Sequence, residues 1–191
     1  MTDGAACSVS DSLARARAGD AAAFADLVRR HQRMVYSLAL RMLADRHKAE
    51  DVAQEAFLQL HRKLALVLSD LHLLFWLRQV ATRLAIDRLR REPRYEVVPL
   101  HEDPGIAGEP AAGDPLLQRH LRGLIGELPP AARAVVLLRY QEDLEPVEIA
   151  AVLDLPVNTV KSHLKRSLAS LRDRLGGTPG VAALSGDGQV P

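Results

Sequence analysis

Six polar and basic residues lie close together near the C-terminus and could contact nucleic acid: Asn158, Thr159, Lys161, Ser162, Lys165 and Arg166. Lysine and arginine form ion pairs with phosphates, whereas asparagine, threonine and serine can hydrogen-bond to base edges. Apolar residues recur among them at steps of three or four, at Val160, Leu164, Leu168, Leu171 and Leu175. This spacing predicts an amphipathic helix that buries the apolar stripe and leaves the polar residues accessible.

A shorter helix is predicted directly before this one and begins at Pro146, which suits a first helical turn because its missing N–H has no partner there anyway. Asp154, between the two helices, tolerates the left-handed backbone of a tight turn. Two such helices form a helix-turn-helix, whose second helix enters the major groove of DNA. Residues 157–175 contain five Lys or Arg against Asp173 alone, a balance of +4. The alternative is an ordinary amphipathic helix with a solvated basic face.

The composition predicts an all-α fold. Of the 191 residues, 48% are hydrophobic but only 4% are aromatic, and no segment alternates with the period of a strand. The length allows one large domain or two small ones. We expect two small helical domains joined by a flexible linker.

Charge and proline content set the expected boundaries. Residues 24–91 carry thirteen Lys or Arg and seven acids, whereas residues 92–115 carry five prolines, three glycines and six acids against one Arg. The second composition is typical of an extended linker. We therefore expect domains at residues 21–91 and 116–175, with the linker at residues 92–115. Residues 1–20 are predicted to be mobile, and residues 176–191 to form a disordered tail.

The first domain carries two further candidate surfaces. Its helices are predicted near residues 24–44, 46–64 and 73–91, and the third has many arginines and almost no acid, which favours binding to a phosphate backbone. Trp76, within the apolar stripe of that helix, is expected in the core rather than stacked on a base. Asp51, Gln54 and Glu55 share one face of the second helix. Routine solvation alone would also explain that acidic-polar patch.

Other functional classes find little support in the sequence. The only cysteine, Cys7, has no partner for a disulfide or a zinc site, and the seven histidines do not group at metal-ligand spacing. No catalytic constellation or Gly-rich phosphate loop is legible, so no cofactor and no enzymatic activity are expected. There is no apolar run long enough to cross a membrane, and residues 1–10 do not resemble a signal peptide. We expect a cytoplasmic protein that does not insert into membranes.

Three blocks of the sequence resemble a known family. They are AEDVAQEAFLQLHRKL, FWLRQVATRLAIDRLRRE and LPPAARAVVLLRYQEDLEPVEIAAVLDLPVNTVKSHLKRSLASLRDRL. In this order they resemble the extracytoplasmic-function (ECF) sigma factors of bacterial RNA polymerase, within the sigma-70 family. The resemblance covers about residues 24–91 and 116–175.

This resemblance implies two helical domains, called regions 2 and 4, that bind core RNA polymerase and direct it to promoter DNA. It implies that Asp51, Gln54 and Glu55 contact the clamp helices of the largest polymerase subunit. It places Arg78, Thr82 and Arg83, with the preceding segment 66–75, at the minus-10 element. It also implies that Lys161, Ser162 and Lys165 read the minus-35 element, and that an anti-sigma factor controls the chain.

The chain departs from the family pattern at three places. The segment before Trp76, ALVLSDLHLLFW, is largely apolar where the family is typically polar. Asn158 and His163 stand where the family usually has glycine and arginine. Preferences at the minus-10 and minus-35 elements are therefore expected to differ from those of other members, and an apolar loop at residues 64–75 would suit docking of the anti-sigma factor.

Two other functions stay open from the sequence. One is a helix-turn-helix regulator of the response-regulator type, which acts without being a polymerase subunit and normally carries an α/β receiver or ligand domain. No such domain is legible in these 191 residues. The other is a helical adaptor or enzyme whose basic faces are only solvated.

Overall fold

The chain is all-α in the computed structural model, which describes residues 9–91 and 114–176. This confirms the predicted fold class, and within the described ranges there is no strand. The chain divides into two compact units, residues 1–94 and 95–191. The described helices are α1 (Val9–Arg17), α2 (Ala21–Leu43), α3 (Arg46–Lys63), α4 (Asp70–Arg91), α5 (Pro115–Glu127), α6 (Pro130–Tyr140), α7 (Pro146–Leu153) and α8 (Val157–Gly176), with a 3₁₀ turn at Leu64–Leu66.

In the first unit, α2 is the central helix and packs against α1, α3 and α4. Its 23 residues present an apolar stripe along their length. The facing stripes of α3 and α4 complete the core, because residues three and four positions apart fall on one side of a helix. Fully buried side chains of this core are Leu27, Val35, Leu38, Met42, Val52, Leu60, Leu73 and Leu77.

Aspartates cap the starts of α2 and α3. Asp20 accepts hydrogen bonds from the N–H groups of Ala22 (2.9 Å) and Ala23 (3.1 Å), and Asp45 accepts one from Lys48 N–H (3.1 Å). The Ala23 N–H and then the Arg15 guanidinium, 2.6 Å away, lower the pKa of the Asp20 carboxyl. This cap is therefore intact above the ordinary carboxyl pKa and is lost on strong acidification.

The expectation that residues 1–20 are mobile is wrong for residues 9–17, which form α1. Leu13 and Ala16, three positions apart, are buried, and α1 packs against α2, α4 and the 3₁₀ turn. The helix is only two and a half turns long, so its apolar pattern is too short to stand out in the sequence. Packing against α2 stabilises it.

The third predicted helix begins three residues earlier than expected, because α4 starts at Asp70. Ser69 Oγ accepts a hydrogen bond from His72 N–H (3.2 Å), and His72 Nδ1 accepts one from Leu68 N–H (3.3 Å). Ser69 thus caps the start of α4, and the His72 ring binds the N–H of the residue before Ser69 rather than that of Ser69 itself, as a capping box would require. Residues 70–75 are therefore helical, and only the part before Ser69 remains of the predicted apolar loop.

The second unit is built on a core shared by α5, α6 and α8: Leu124, Leu128, Ala132, Val136 and Leu171, with Leu121, Ile125 and Leu175 packed against it. Arg133 of α6 is buried and donates hydrogen bonds to the carbonyls of Gly126 and Leu128, at the end of α5. A buried guanidinium needs such partners. It satisfies carbonyls that a helix end leaves open.

The predicted linker and tail fall almost wholly outside the described residues. The last two linker residues are described: Asp114 caps α5 by accepting from Leu116 N–H (2.9 Å), and Pro115 is the first residue of that helix. Among the described residues, none of the helices is long and apolar enough to span a bilayer.

The packing of α1 against the rest of the first unit can be tested by mutation. Replacing Leu13 by alanine removes a buried side chain, so we expect the free energy of unfolding of the first unit to fall by roughly 2–3 kcal/mol. Replacing Arg17, which is exposed on the same helix, by alanine should change it by less than about 0.5 kcal/mol. Urea denaturation followed by circular dichroism measures both. Equal stability of the two variants would mean that α1 does not dock.

Candidate nucleic-acid interface

The predicted helix-turn-helix is present, with α7 at Pro146–Leu153 and α8 at Val157–Gly176. Pro146 is the first residue of α7, as the sequence predicts. The connection from α6 is braced by Arg139, whose guanidinium donates to Leu144 O (3.1 Å) and to Glu145 Oε1 (2.8 Å). Glu145 N–H in turn donates to the carboxylate of Glu148 (2.7 Å), which caps α7.

The turn between the helices depends on a left-handed residue, and Asp154 occupies it with φ 56° and ψ 49°. Asp154 N–H donates to Ala150 O, and Leu155 N–H donates to the same carbonyl at 3.0 Å. These bonds end α7 and reverse the chain, so that α8 can begin at Val157 and pack across α7.

Packing in the second unit divides α8 into two faces. Val160, Ser167 and Leu171 are buried, and Leu164, Leu168 and Leu175 are half-buried beside them. The predicted apolar stripe is therefore confirmed. The residues left exposed on the other side include Asn158, Lys161, Ser162, Lys165 and Arg166.

Two of the six predicted contacts on α8 differ from the rest. Thr159 is only half-exposed. Arg166 is exposed, but its Nε donates to Ser162 O at 3.3 Å, so its guanidinium lies along its own helix. Asn158, Lys161, Ser162 and Lys165 present an open mixture of cations and short polar groups. That combination suits phosphates and base edges.

On α4, the predicted pair Arg78 and Arg83 does not share a face, since five residues rotate a helix by roughly 140° from where it began. Arg83 is exposed and lies in one row with the half-buried Trp76 and the exposed Arg90, at intervals of seven residues. We call these three residues the outer row of α4. Arg78 is half-buried and lies near His31 of α2. Burial has the largest effect and lowers the pKa of His31. The Arg30 and Arg78 guanidiniums lower this pKa further, whereas the Asp70 carboxylate raises it.

The assignment of Thr82 to a DNA contact is wrong in this structure. Its side chain is fully buried, and its Oγ1 has no hydrogen-bond partner among the described residues. Thr82 lies beside Ala81 and Ala85, on the face of α4 that forms the core of the unit. A group in that position cannot reach DNA while the helix stays packed.

Asp51, Gln54 and Glu55 share one side of α3, as predicted, but they have different neighbours. Asp51 Oδ2 accepts from Arg88 Nη1 of α4 at 3.1 Å. Glu55 accepts from Gln59 Nε2 at 2.9 Å. Gln54 is exposed and lines a groove between α2 and α3.

This groove is a feature that the sequence did not reveal, because its walls come from two helices. Its volume is about 890 Å³, and three aromatic rings and several aliphatic side chains dominate its lining. Arg33, Glu50 and His61 also line it. An apolar groove between two helices can accept the apolar face of a partner helix. The apolar lining residues are Phe24, Val28, Tyr36, Ala53, Phe57 and Leu58.

Three leucines around the start of α4 are strongly exposed: Leu66 by 66%, Leu68 by 72% and Leu71 by 80%. The intervening Val67 and the following Leu73 are buried, which holds the segment against the core. Residues 64–77 contain no Lys or Arg and only one acid, Asp70. We call Leu66, Leu68 and Leu71 the leucine patch.

Comparison with known proteins identifies the family. Residues 27–95 match the family described as Sigma-70 region 2, and residues 118–171 match the one described as Sigma-70, region 4. The ECF RNA polymerase sigma factor SigW of Bacillus subtilis is 32% identical over 176 residues, which cover 85% of this chain and 94% of that protein. The chain belongs to the ECF sigma factors of the sigma-70 family.

Other ECF sigma factors match with similar identity. SigE of Mycolicibacterium smegmatis is 36% identical over 156 residues, covering 78% of this chain and 60% of its own length. The RNA polymerase sigma factor CarQ of Myxococcus xanthus is 30% identical over 166 residues, covering 86% and 95%. The family resemblance of the three sequence blocks is thereby confirmed.

Two solved structures share the fold of this sigma factor. CnrH, solved in complex with the cytosolic domain of CnrY, matches 88% of this chain and 98% of its own with a TM-score of 0.65 and 23% identity. RpoE of Bartonella quintana, solved with the anti-sigma factor NepR, matches 81% and 97% with a TM-score of 0.65 and 18% identity. At these identities the likeness establishes the fold.

The left-handed residue of the turn in region 4 of this sigma factor gives a second test. Glycine adopts this conformation without strain, so Asp154→Gly is the unstrained reference for this position. Asp154→Ala should be less stable than the glycine variant by about 1 kcal/mol. Thermal unfolding of the three proteins measures the order. An alanine variant as stable as the glycine variant would contradict the strained turn.

Proposed function

We propose that this sigma factor binds bacterial core RNA polymerase and directs it to promoters by two DNA-binding surfaces, the exposed face of α8 and the outer row of α4. The observation that carries this proposal is the division of α8. Packing hides its apolar stripe and leaves Asn158, Lys161, Ser162 and Lys165 accessible on one side. The polymerase supplies catalysis, and the chain supplies promoter selection.

At the minus-35 element, α8 lies in the major groove. Lys161 and Lys165 bind phosphates, whereas Asn158 and Ser162 lie closer to the base edges. Neither lysine side chain has an ion-pair or hydrogen-bond partner within residues 9–91 and 114–176. Binding DNA therefore breaks no contact of these lysines inside the described protein.

Lys165→Ala tests this assignment. Loss of one phosphate contact should weaken binding to the minus-35 duplex and lower the slope of log affinity against log salt by about 1. Fluorescence anisotropy over a range of salt concentrations measures the slope. Arg119, an exposed arginine on α5 of the same unit, provides the matched control, because its replacement by alanine removes the same charge away from α8. If the two variants behave alike, α8 is not the DNA-binding helix.

At the minus-10 element, we propose that the outer row of α4, with Arg83 and Arg90, follows the DNA backbone. The two arginines are exposed on the same side and lie two turns apart. Arg78 can contribute only at the edge of this surface, because it lies half-buried near α2. Thr82 has no part in it.

We further propose that the groove between α2 and α3, with Gln54 on its wall and Asp51 and Glu55 beside it, binds the clamp helices of the largest polymerase subunit. The groove offers apolar area for a partner helix. The polar residues around it can fix the orientation of that helix.

Leu58→Asp tests the groove. Leu58 lines it and is 53% exposed, so aspartate should leave the fold intact but place a charge in the apolar interface. We expect the affinity for core polymerase to fall by at least about tenfold, which corresponds to 1.4 kcal/mol. Leu71→Asp makes the same change outside the groove and should leave polymerase binding unchanged. Equal affinities of both variants would exclude the groove.

An anti-sigma factor is the second protein partner that we propose, with the leucine patch as part of its binding site. Residues 64–77 contain no Lys or Arg that could bind DNA phosphates. An exposed apolar patch is instead suited to the core of a protein interface. RpoE of Bartonella quintana, which shares the fold, was solved with an anti-sigma factor. We expect core polymerase and the anti-sigma factor to exclude each other from this chain, and a competition pull-down measures this. A ternary complex of the three would contradict the expectation.

Promoter-specific initiation separates this function from that of a stand-alone regulator. Adding the purified chain to core polymerase, followed by sequencing of the transcripts, should reveal defined start sites. A regulator of the response-regulator type would not confer initiation on core polymerase alone. Both surfaces act on the polymerase and the chromosome, so the proposed place of action is the cytoplasm.

A further inference from the structure

The five basic residues of α8 divide into two groups by their contacts. Arg174 forms an ion pair with Glu127 of α5, and Arg166 donates to Ser162 O. The side chains of Lys161, Lys165 and Arg172 are exposed and have no ion-pair or hydrogen-bond partner within residues 9–91 and 114–176. Three cations of this helix are therefore available to a ligand.

These three available cations lie on one flank of α8. At 3.6 residues per turn, Lys161, Lys165 and Arg172 fall within roughly 40° of one another around the helix axis. Lys161 and Arg172 are separated by about 16 Å along the axis, at a rise of 1.5 Å per residue. This flank carries no acid between residues 157 and 175.

The opposite flank is electrostatically different. It carries Arg166 and, two turns further along, the exposed acid Asp173. Further round the helix lies Arg174, whose charge is balanced by Glu127. The short polar residues Asn158 and Ser162 lie between the two flanks. A DNA duplex in contact with this face meets a cationic row on one side and a nearly neutral surface on the other.

We propose that Lys161, Lys165 and Arg172 together bind the phosphate backbone of one DNA strand, which makes Arg172 a further DNA contact of region 4. This inference rests on the proposed binding of duplex DNA by α8. The ligand is the duplex phosphate backbone, which a guanidinium binds through paired hydrogen bonds irrespective of base sequence. The cationic flank faces one wall of the major groove, while Asn158 and Ser162 face the bases.

The experiment measures affinity for a short duplex of arbitrary sequence with the full-length chain, since phosphate contacts do not need the promoter sequence. Anisotropy titrations between about 50 and 200 mM salt give the slope of log affinity against log salt for each protein. The variants are Arg172→Ala, Arg172→Lys, Lys161→Ala and the matched control Arg119→Ala. Thermal unfolding checks that each variant is folded.

We expect Arg172→Ala and Lys161→Ala each to reduce the magnitude of the slope by about 0.9. Over that salt range, the factor by which the affinity falls should therefore be about 3.5 times smaller for each variant than for the parent. Arg172→Lys keeps the charge and should retain the parental slope, and Arg119→Ala should retain it as well. This pattern supports Arg172 as a phosphate contact.

Other patterns overturn the inference in distinguishable ways. If Lys161→Ala flattens the slope but Arg172→Ala does not, Arg172 is not a contact and the proposed function of α8 stands. If neither changes it, α8 does not bind duplex DNA and both proposals fail. If Arg119→Ala flattens it as much as Arg172→Ala, only the net charge matters and no strand-specific row exists.

Discussion

Burial of one face of α8 is the constraint on which the rest of region 4 depends. Val160, Ser167 and Leu171 fix the rotation of the helix against its neighbours. Once that rotation is set, the geometry of an α-helix decides which side chains meet solvent. The residues of the exposed side can then vary without disturbing the packing, while the buried side keeps the helix in place.

In the first unit, too, packing decides which face of a helix is accessible, but a larger part of the helix surface is buried. The helix α4 packs against α2, α3 and α1, so its buried face is wide and takes in Thr82, while its accessible row is narrow. The outer side of α2 and α3 is left with an apolar groove. One helix thus presents a row of exposed arginines, and two others enclose an apolar groove, around a single core.

Much of this arrangement could be predicted from sequence, because periodic apolar residues and capping residues are local signals. The spacing of leucines in α8, Pro146 at the start of α7 and the turn at Asp154 all appear in the structure as predicted. The burial of Thr82 could not be predicted, since a threonine at the edge of an apolar stripe is equally compatible with either face. Contacts between distant residues, such as Asp51 with Arg88 and Arg174 with Glu127, leave no local pattern.

The two units depend on ionisable groups with different acid–base chemistry. The start of α2 needs the Asp20 carboxylate, and the same helix half-buries His31, a burial that lowers the pKa of its imidazole. Protonation of either group opposes folding, so the first unit loses stability as the medium becomes acidic. The junction of α5 and α6 relies on Arg133 instead, and a guanidinium keeps its proton at any pH a cell experiences. Proton uptake therefore destabilises α2, which forms one wall of the groove. The hydrogen bonds of Arg133 that join α5 and α6 are unaffected.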